Sequence, residues 1–577
     1  GQIGDGFVRG LQGEGEENNT PYLKSIATPK HFLANNSEVN RRGGESTVDL
    51  RDLREYYTPA FKEAIEVGGA RSIMTSYNAV NGVPMSANKP IMEDIVRKTW
   101  GFDGFVVTDC GALQDVVNHP WRPDGWDDSV SWSLGAVAAA LDAGVDYNCG
   151  SVYRDNTKAA YDAGLITEDD IDVALVRLFT ARMQVGEFDP AEMVPYSDPE
   201  KYGAGKQLHA ADHDQMAEDL ADQAVVLLKN EPAEGSDTPM LPLGGQEAID
   251  HLVLVGHLAD EVTLGGYSTD QPGNTSTPVQ GIEAALKRYN PEATFTYIPG
   301  TQSGVTQDFL MNIRGPKMYG KDGTFLRQID LNANAQISGG QIENAQEPNT
   351  GYFKSNAGGW VKFDQMDFTG IDHFTVEMCG MSRAAPTTME LRLGSPTGEL
   401  LATVSGVGDT SEGTDEWNHW VEYEFRFISG GKEGPLEDVY MVIEKAPGEF
   451  EFTAEERATI ESADAVVAFV GTGEGDGFEG QDRTSDQFPQ GQEDMVNTLL
   501  ALNKHTVVYM QAIGQMDIES FKDTAPAILW STYNGQAQGN AAGRILFGEK
   551  DPAAKLPFTW YSDLDQLDSI LDYNIRT

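Results

Sequence analysis

The sequence predicts an α/β protein that is interrupted by an all-β segment, and three patterns support this prediction. From residue 25 to about 188, short apolar runs alternate with amphipathic helical stretches, as in parallel β/α units. Apolar runs at 251–256 and 465–470 begin and resume a second α/β unit. Between them, from about 305 to 448, alternating residues with Gly-rich turns predict an inserted β-sandwich.

These patterns divide the 577-residue chain into five segments. We expect a β/α domain at 1–194, a linker and helix at 195–235, the first part of a second α/β domain at 236–304, the all-β insert at 305–450, and the second part of the α/β domain at 451–577. A chain of this length has room for three or four domains at roughly 150 residues per domain.

The charge of the chain excludes several classes of partner. With 41 Lys+Arg against 90 Asp+Glu, the net charge is −49, which repels nucleic acid and acidic lipid. No window approaches ~20 consecutive apolar residues, so no membrane segment is expected. The start of the chain lacks the basic and apolar regions of a signal peptide, and cytoplasmic and secreted locations both stay open.

No metal or cofactor is expected. The three cysteines are too few for a disulfide framework, and the sequence has no Cys-x-x-Cys or His-x-x-x-His cluster. A Gly-x-Gly-x-x-Gly match at 475–480 carries acidic residues where a pyrophosphate would bind, which argues against a dinucleotide.

Polar residues follow four successive predicted strands of the first domain. They are Lys30-His31, Tyr77-Asn78, Asp109 and Asp146. In parallel β/α units the carboxyl ends of the strands face the ligand crevice, so this repetition predicts a binding site. The alternative is that polar residues simply begin the loops that follow the strands.

Carboxylates are the best candidates for chemistry. Retaining glycoside hydrolysis needs one ionised carboxylate and one protonated carboxyl group about 5 Å apart. Asp109 suits the first role because a buried strand fixes its backbone and Lys30 could favour its charge. Glu474 and Glu479 lie together on a Gly-rich loop. The alternatives are a helix N-cap for Asp109 and a solvated acidic loop for the two glutamates.

Several ordered motifs resemble those of glycoside hydrolase family 3. The barrel motifs of that family are similar to residues 30–32 (KHF), 74–82 (MTSYNAVNG) and 100–109 (WGFDGFVVTD). Further similar motifs lie at 224–230, 479–483, 533–536 and 555–557. The resemblance covers the chain outside the insert. It implies an α/β fold in which a partial (β/α)8-type barrel is followed by an α/β sandwich domain, interrupted by the all-β sandwich insert.

The resemblance also implies a function and roles for individual residues. The function is that of a retaining exo-β-glycosidase that removes non-reducing terminal sugars by double displacement. Asp109 matches the nucleophile, and sugar hydroxyls are expected to bind Lys30 and His31, with Tyr77 and Asn78 on the next strand end. The acid/base is a glutamate on a loop of the sandwich domain. Glu479 is preferred for this role and Glu474 is the alternative.

The identity of the sugar stays open in the sequence. Residues 30–36 resemble the β-glucosidases of the family, whereas 108–110 and 146–150 resemble its β-xylosidases. A β-D-glucosidase is preferred because β-glucosidases are frequent in the family, with a β-D-xylosidase as the alternative. An inactive carbohydrate-binding homologue is a further alternative, because the first barrel strands of the family are absent. A second polypeptide or a missing segment is expected to complete the barrel, since its strand edges would otherwise be unpaired.

The insert and two cysteines give further expectations. The insert resembles carbohydrate-binding modules, and Trp360, Trp417 and Trp420 could either stack on sugars or form the sandwich core. Cys110 and Cys149 follow strand ends that face the proposed site, so we expect them to be neighbours that line the sugar pocket and react with thiol reagents. Position alone does not show whether their Cα atoms are close enough for a disulfide.

Overall fold

The fold is given by a computed structural model. It describes residues 1–14, 20–203, 211–245, 248–268, 275–300, 311–331, 336–343, 351–380, 387–407, 420–427, 434–443, 452–473, 476–483, 485–562 and 564–575. The chain separates into two compact units. The first unit is Gly1–Leu208 with Leu567–Thr577, and the second unit is His209–Gln566.

The first unit is a β/α assembly. Its strands are β1 (Glu45–Ser46), β2 (Ser72–Thr75), β3 (Ala79–Val80), β4 (Val83–Pro84) and β5 (Phe105–Thr108). Its helices are α1 (Gln2–Leu11), α2 (Leu50–Asp52), α3 (Pro59–Glu66), α4 (Ala112–Asn118), α5 (Trp132–Asp142), α6 (Val152–Asp162), α7 (Glu168–Gln184) and α8 (Pro199–Tyr202), with π-helical turns at Leu53–Tyr57 and Pro90–Thr99. The predicted alternation of strands and helices is present.

Four parallel segments lie side by side in the first unit. Strand β2 pairs with β5 in parallel register, Phe32 forms a parallel bridge with Thr75, and Val107 does the same with Tyr147. The array therefore brings together the four strand ends that the sequence singled out. Among the described residues this array does not close into a barrel.

Apolar residues of this array form a buried core. Phe32, Ile73 and Val106 have no exposed surface, and Val137 of α5 is equally buried in the same cluster. Strands that are covered on both faces are rich in Val and Ile, which explains why 105–107 reads as a continuous apolar run. The core fixes the backbone from which the polar strand ends emerge.

Asp146 lies inside this unit rather than facing a ligand. Its carboxylate accepts hydrogen bonds from Arg97 (2.8 Å), Arg177 (3.0 Å) and the Val106 amide (2.8 Å). Arg97 also donates to the carbonyls of Phe102, Gly104 and Gly144. The expectation that Asp146 belongs to the site is therefore wrong, because the buried Arg97 and the partly buried Arg177 already bind its charge.

The second unit begins as an α/β sandwich. Its first part contains α9 (Ala211–Gln223), β6 (Val226–Asn230), β7 (His251–Val255), α10 (Pro278–Tyr289) and β8 (Thr294–Ile298). The helix α10 starts with a capping box in which Thr277 and Gln280 exchange hydrogen bonds. Such a box satisfies two amide donors that a helix start leaves unpaired.

The all-β insert follows β8. Its strands are β9 (Met311–Arg314), β10 (Lys317–Tyr319), β11 (Phe325–Gln328), β12 (Gln336–Glu343), β13 (Tyr352–Asp367), β14 (His373–Gly380), β15 (Thr387–Leu393), β16 (Glu399–Val407), β17 (Val421–Phe427) and β18 (Pro435–Ile443). Antiparallel pairing runs β9-β13-β18-β15-β16-β17-β14 and returns to β9. The insert thus surrounds its own core, which includes Phe353, Phe374 and Phe425.

The chain then resumes the α/β sandwich. This part contains α11 (Ala454–Glu461), β19 (Ala465–Gly471), α12 (Gln492–Leu502), β20 (Thr506–Gln511), β21 (Ala527–Ser531) and α13 (Gln538–Leu546). The sheet order is β6-β21-β20-β19-β7-β8, and only the β6–β21 pair is antiparallel. The carboxyl ends of β7, β19 and β20 consequently lie at one edge of the sheet.

The last described residues belong to the first unit. The carbonyl of Tyr573 accepts a hydrogen bond from the Tyr57 hydroxyl (2.8 Å), and the Ile575 amide donates to Asp52 (3.1 Å). The sequence had grouped this tail with the second α/β domain. In the described parts of the chain, no helix combines the length and the apolar character that crossing a membrane requires.

Asp146→Asn should destabilise the first unit. The side chains of Arg97 and Asp146 are 6% and 1% exposed, and removing one partner of a buried pair costs about 3–5 kcal/mol. Amide hydrogen exchange of β5 measures this loss directly. The control is Asp142→Asn, which breaks the exposed Lys89–Asp142 pair and should cost at most about 1 kcal/mol. Equal losses in the two variants would contradict the prediction.

Candidate active site

Asp109 follows β5 at the carboxyl end of the parallel array and is only 7% exposed. Its Oδ1 accepts a hydrogen bond from the Cys110 amide (2.7 Å), and its Oδ2 lies 3.1 Å from Nε2 of His31. The following helix, α4, has Gly111 at its N-cap and no side-chain cap. The carboxylate of Asp109 is therefore not a helix N-cap, and its two oxygens face donors of the strand ends.

Hydrogen bonds keep the Asp109 carboxylate ionised. Burial by itself favours the neutral acid. The His31 side chain 3.1 Å from Oδ2, the hydrogen bond from the Cys110 amide and the neighbouring Tyr77 phenol together outweigh burial and hold the pKa of Asp109 below its usual value. Asp109 is thus an anion near neutral pH, in a place where an unpaired carboxylate would be costly.

Tyr77 connects the nucleophile candidate to two arginines. The phenol donates to the Cys110 carbonyl (3.1 Å), and burial together with the Asp109 charge raises the pKa of Tyr77 to about 12. The guanidinium groups of Arg41 and Arg42 lie 5.0 and 4.8 Å from the centre of the Tyr77 ring. Cation–π contacts at these distances are attractive. Tyr77 therefore stays a neutral donor beside an anion.

Sequence reasoning missed both arginines. They lie in a polar stretch, 35–44, that has no periodicity and follows no apolar run. Arg42 also lies 3.5 Å from the Asp115 carboxylate on α4. Burial raises the pKa of Asp115 to about 6, against the opposing effect of the two arginines. The only available signal in the sequence was the pair of consecutive arginines that follows the motif at residues 30–36.

Lys30 and Asn78 have different surroundings. Lys30 is exposed and precedes His31 at the strand end. Asn78 is buried, and its amide donates to the carbonyls of Leu33 and Ala34 and to the Ser46 hydroxyl. Asn78 thereby fixes the backbone that follows His31, which is an indirect way to shape the site.

Cys110 and Cys149 form a disulfide, with their Cα atoms 4.5 Å apart. The expected proximity of the two cysteines is confirmed. The expectation of two thiols that react with thiol reagents is wrong for this oxidised form, because neither sulfur is free. The bond links the loops after β5 and after Tyr147, directly beside Asp109.

Glu479 lies on a tight turn in the second unit. Phe478 and Gln481 exchange two backbone hydrogen bonds of 3.1 and 2.9 Å, so Glu479 and Gly480 occupy the two corners of the turn. Gly480 has φ of 96°, a conformation that favours glycine at the second corner. Glu479 is exposed and accepts a hydrogen bond from the Tyr267 hydroxyl. Glu474 lies outside the described residues.

Arg483 anchors the loop that carries this turn. Its guanidinium donates to the carbonyls of Ile513 and Gln515, both at 2.7 Å, which follow β20. At the beginning of the loop, Tyr533 donates to the Gly473 carbonyl (2.7 Å). The turn is therefore held at both ends by side chains that bind backbone carbonyls.

These features define a carboxylate-based site at the carboxyl end of a parallel β/α array. Two family models match the chain. The C-terminal domain model of glycosyl hydrolase family 3 matches residues 225–576, and the N-terminal domain model matches residues 1–181. The chain therefore belongs to glycosyl hydrolase family 3.

Curated relatives carry two kinds of name. Xylan 1,4-β-xylosidase of Xylanibacter ruminicola is 26% identical over 616 residues, covering 100% of this chain and 65% of the relative. The β-glucosidase of Rhizobium radiobacter is 26% identical over 594 residues, covering 98% of this chain and 64% of the relative. Probable β-D-xylosidase 7 of Arabidopsis thaliana is 33% identical over 291 residues, covering 49% and 36%. The chain spans less than two thirds of each of these relatives.

Solved structures share the fold. An exo-β-xylosidase of the family in complex with a xylobiose aziridine probe has a TM-score of 0.63 at 24% identity, covering 100% of this chain and 54% of that chain. The β-glucosidase of Kluyveromyces marxianus in complex with glucose has a TM-score of 0.58 at 18% identity, covering 98% of this chain and 65% of that chain.

His31→Ala should raise the pKa of Asp109. The variant removes a donor that favours the anion, so protonation of Asp109 should occur at higher pH than in the parent. Carboxyl 13C NMR titration measures this, with the Asp109 signal identified by its loss in Asp109→Asn. The control is His373→Ala in the insert, where His373 stacks on Tyr319. An unchanged titration of Asp109 in His31→Ala would refute the assignment of His31 as its main donor.

Proposed function

We propose that this chain is the catalytic part of a retaining exo-β-glycosidase that removes non-reducing terminal sugars. The observation that carries the proposal is the nearly buried Asp109 carboxylate beside His31 and the Cys110 amide at a strand end, a setting that lowers its pKa. A carboxylate held in this way is a nucleophile that is ready at neutral pH. The names of the relatives support the reaction class.

The reaction proceeds by double displacement. An oxygen of Asp109 bonds to the anomeric carbon while the glycosidic C–O bond breaks, and Glu479 gives its proton to the leaving oxygen. In the second step Glu479 takes a proton from water, the water oxygen bonds to the anomeric carbon, and the bond to Asp109 breaks. Glu479 thus regains its proton and Asp109 its charge.

Glu479 is the proposed acid/base because its turn presents the carboxylate to solvent, where a leaving group and a water can reach it. The flanking residues, Gly480 and Arg483, fix the turn rather than the side chain. Glu474 is the alternative.

Sugar hydroxyls are proposed to bind the polar residues around Asp109. Lys30 and His31 provide donors at one strand end, and Tyr77 provides a neutral hydroxyl at the next. The position of Arg41 and Arg42 over the Tyr77 ring adds two cations beside the same strand ends. Asn78 contributes through the backbone of Leu33 and Ala34.

Xylose is the sugar we propose, with glucose as the second candidate. Relatives that are more than 30% identical over parts of this chain carry β-xylosidase names, and for this reason we propose xylose where the sequence motifs alone led to glucose. The R. radiobacter β-glucosidase, which aligns with nearly the whole chain, keeps glucose open. The two sugars differ only by the hydroxymethyl group on C5.

The insert is proposed to bind carbohydrate through partly exposed tryptophans. Trp360 packs edge-on against Tyr440 (5.2 Å), and the Arg314 guanidinium lies 4.0 Å from the centre of the Trp420 ring. Trp417 lies outside the described residues. If a second polypeptide or segment completes the barrel, the described array of four parallel segments is where it would add strands. An inactive carbohydrate-binding protein remains the rival, since this array is open in the described residues.

Replacing the two proposed catalytic carboxylates should give different kinetic signatures. Asp109→Asn should abolish turnover of every aryl glycoside, because no nucleophile remains. Glu479→Ala should slow phenyl glycosides by about 10²–10⁴-fold, the usual contribution of a general acid, and slow dinitrophenyl glycosides far less. With dinitrophenyl glycosides, which still form the glycosyl-enzyme, azide should restore part of the lost turnover by attacking that intermediate. Glu474→Ala is the matched control, and the reverse ranking of the two glutamates would transfer the role to Glu474.

The sugar preference can be measured by comparing kcat/KM for two aryl glycosides. If xylose is the sugar, aryl β-xyloside should be hydrolysed with a higher kcat/KM than aryl β-glucoside. A higher value for the glucoside would make the chain a β-glucosidase. If a folded chain, shown by cooperative unfolding, binds either sugar without hydrolysing the aryl glycosides, this result would favour the rival binding protein.

A further inference from the structure

Two loops of the second unit meet at the carboxyl ends of neighbouring strands. Strands β7 and β19 are adjacent and parallel in the sheet, so the loops that follow them leave the same edge. The loop after β19 carries Glu479, and the loop after β7 carries Tyr267. The contact between these two side chains is therefore a consequence of the sheet order.

The backbone around Tyr267 is anchored before the tyrosine is reached. The carbonyl of Glu261 accepts a hydrogen bond from Gln538 (2.6 Å), and the Thr263 hydroxyl accepts one from Gln511 (3.4 Å). A turn closed by Ser268 follows, in which the Ser268 amide donates to the Gly265 carbonyl (3.0 Å). Thus the loop is held by the ends of β20 and α13, close to where Arg483 anchors the other loop.

Tyr267 itself is 82% exposed, and its hydroxyl donates to Oε2 of Glu479. A large aromatic ring gains little from such exposure. A glutamate at the corner of an exposed turn has three side-chain torsions to restrict, whereas a tyrosine has two and a stiff ring. The stiffer side chain therefore restricts the more flexible one.

We infer that Tyr267 is a positioning residue for Glu479, holding Oε2 so that Oε1 is presented to the leaving-group oxygen and to the attacking water. The inference rests on the proposed acid/base role of Glu479. It adds a residue from a different loop, and one that the family motifs quoted from the sequence do not include. General acid catalysis depends on such geometry, since the acid must be within hydrogen-bond reach of the atom it protonates.

The test compares leaving groups in variants of the full 577-residue chain. Tyr267→Phe keeps the ring and removes the hydroxyl. It should lower kcat/KM for phenyl β-xyloside about tenfold, as expected for one hydrogen bond to the charge that forms on Glu479 as it gives up its proton. The kcat/KM for dinitrophenyl β-xyloside, whose leaving group needs little acid assistance, should change less than about twofold. The control is Tyr289→Phe, in which the lost hydroxyl donates to the Gly244 carbonyl (2.8 Å), and it should affect neither substrate.

A double variant completes the experiment. In a Glu479→Ala background, Tyr267→Phe should cause no further loss with phenyl β-xyloside, because its effect acts through Glu479. A loss that persists in this background, an equal loss with both substrates, or no loss in Tyr267→Phe alone would each overturn the inference. If Glu479→Ala hydrolyses phenyl β-xyloside at the parent rate, the proposed acid/base role fails first, and this inference fails with it.

Discussion

A negative charge at a nearly buried strand end is the constraint on which the described site depends. Taking a carboxylate out of water costs several kcal/mol unless hydrogen bonds replace those of the solvent. Asp109 accepts a hydrogen bond from the Cys110 amide and lies 3.1 Å from His31, with the Tyr77 phenol nearby, and these groups come from different segments of the array. His31 and Tyr77, at two neighbouring strand ends, are the polar side chains that face this charge.

These donors are useful only if the backbone holds them in place. The parallel register of β2 with β5 puts Tyr77 beside Asp109, and the Cys110–Cys149 bond ties the loop after β5 to the next segment. Beneath them, Arg97 connects Asp146 with three backbone carbonyls. A hydrogen bond to an anion weakens steeply as its geometry worsens, so this rigid support below the site is part of how Asp109 stays ionised.

The sequence predicted features that local patterns encode. The run at 105–108 predicted a buried strand, and the residue after it, Asp109, lies at the carboxyl end of that strand, as the period of β/α units requires. Asp146 looked equivalent, yet its carboxylate turns inward to Arg97, which is 49 residues away in sequence. No local pattern distinguishes a polar strand end that faces a ligand from one that faces a buried cation. The same limit hid Arg41 and Arg42, whose contacts with the Tyr77 ring are distant in sequence, and left the bonding of the two cysteines open.

The two proposed catalytic carboxylates are held in different ways, and this explains why one was easier to identify than the other. Asp109 is fixed by a buried strand, so its place follows from apolar periodicity and allows little variation. Glu479 lies on a turn whose conformation needs only a glycine at Gly480 and an anchor at Arg483. A glutamate can stand at different sequence positions of such a loop and still present its carboxylate. The motif therefore did not distinguish Glu474 from Glu479. In this arrangement the proposed nucleophile depends on core packing, whereas the proposed acid/base depends on hydrogen bonds between loops, among them the one from Tyr267.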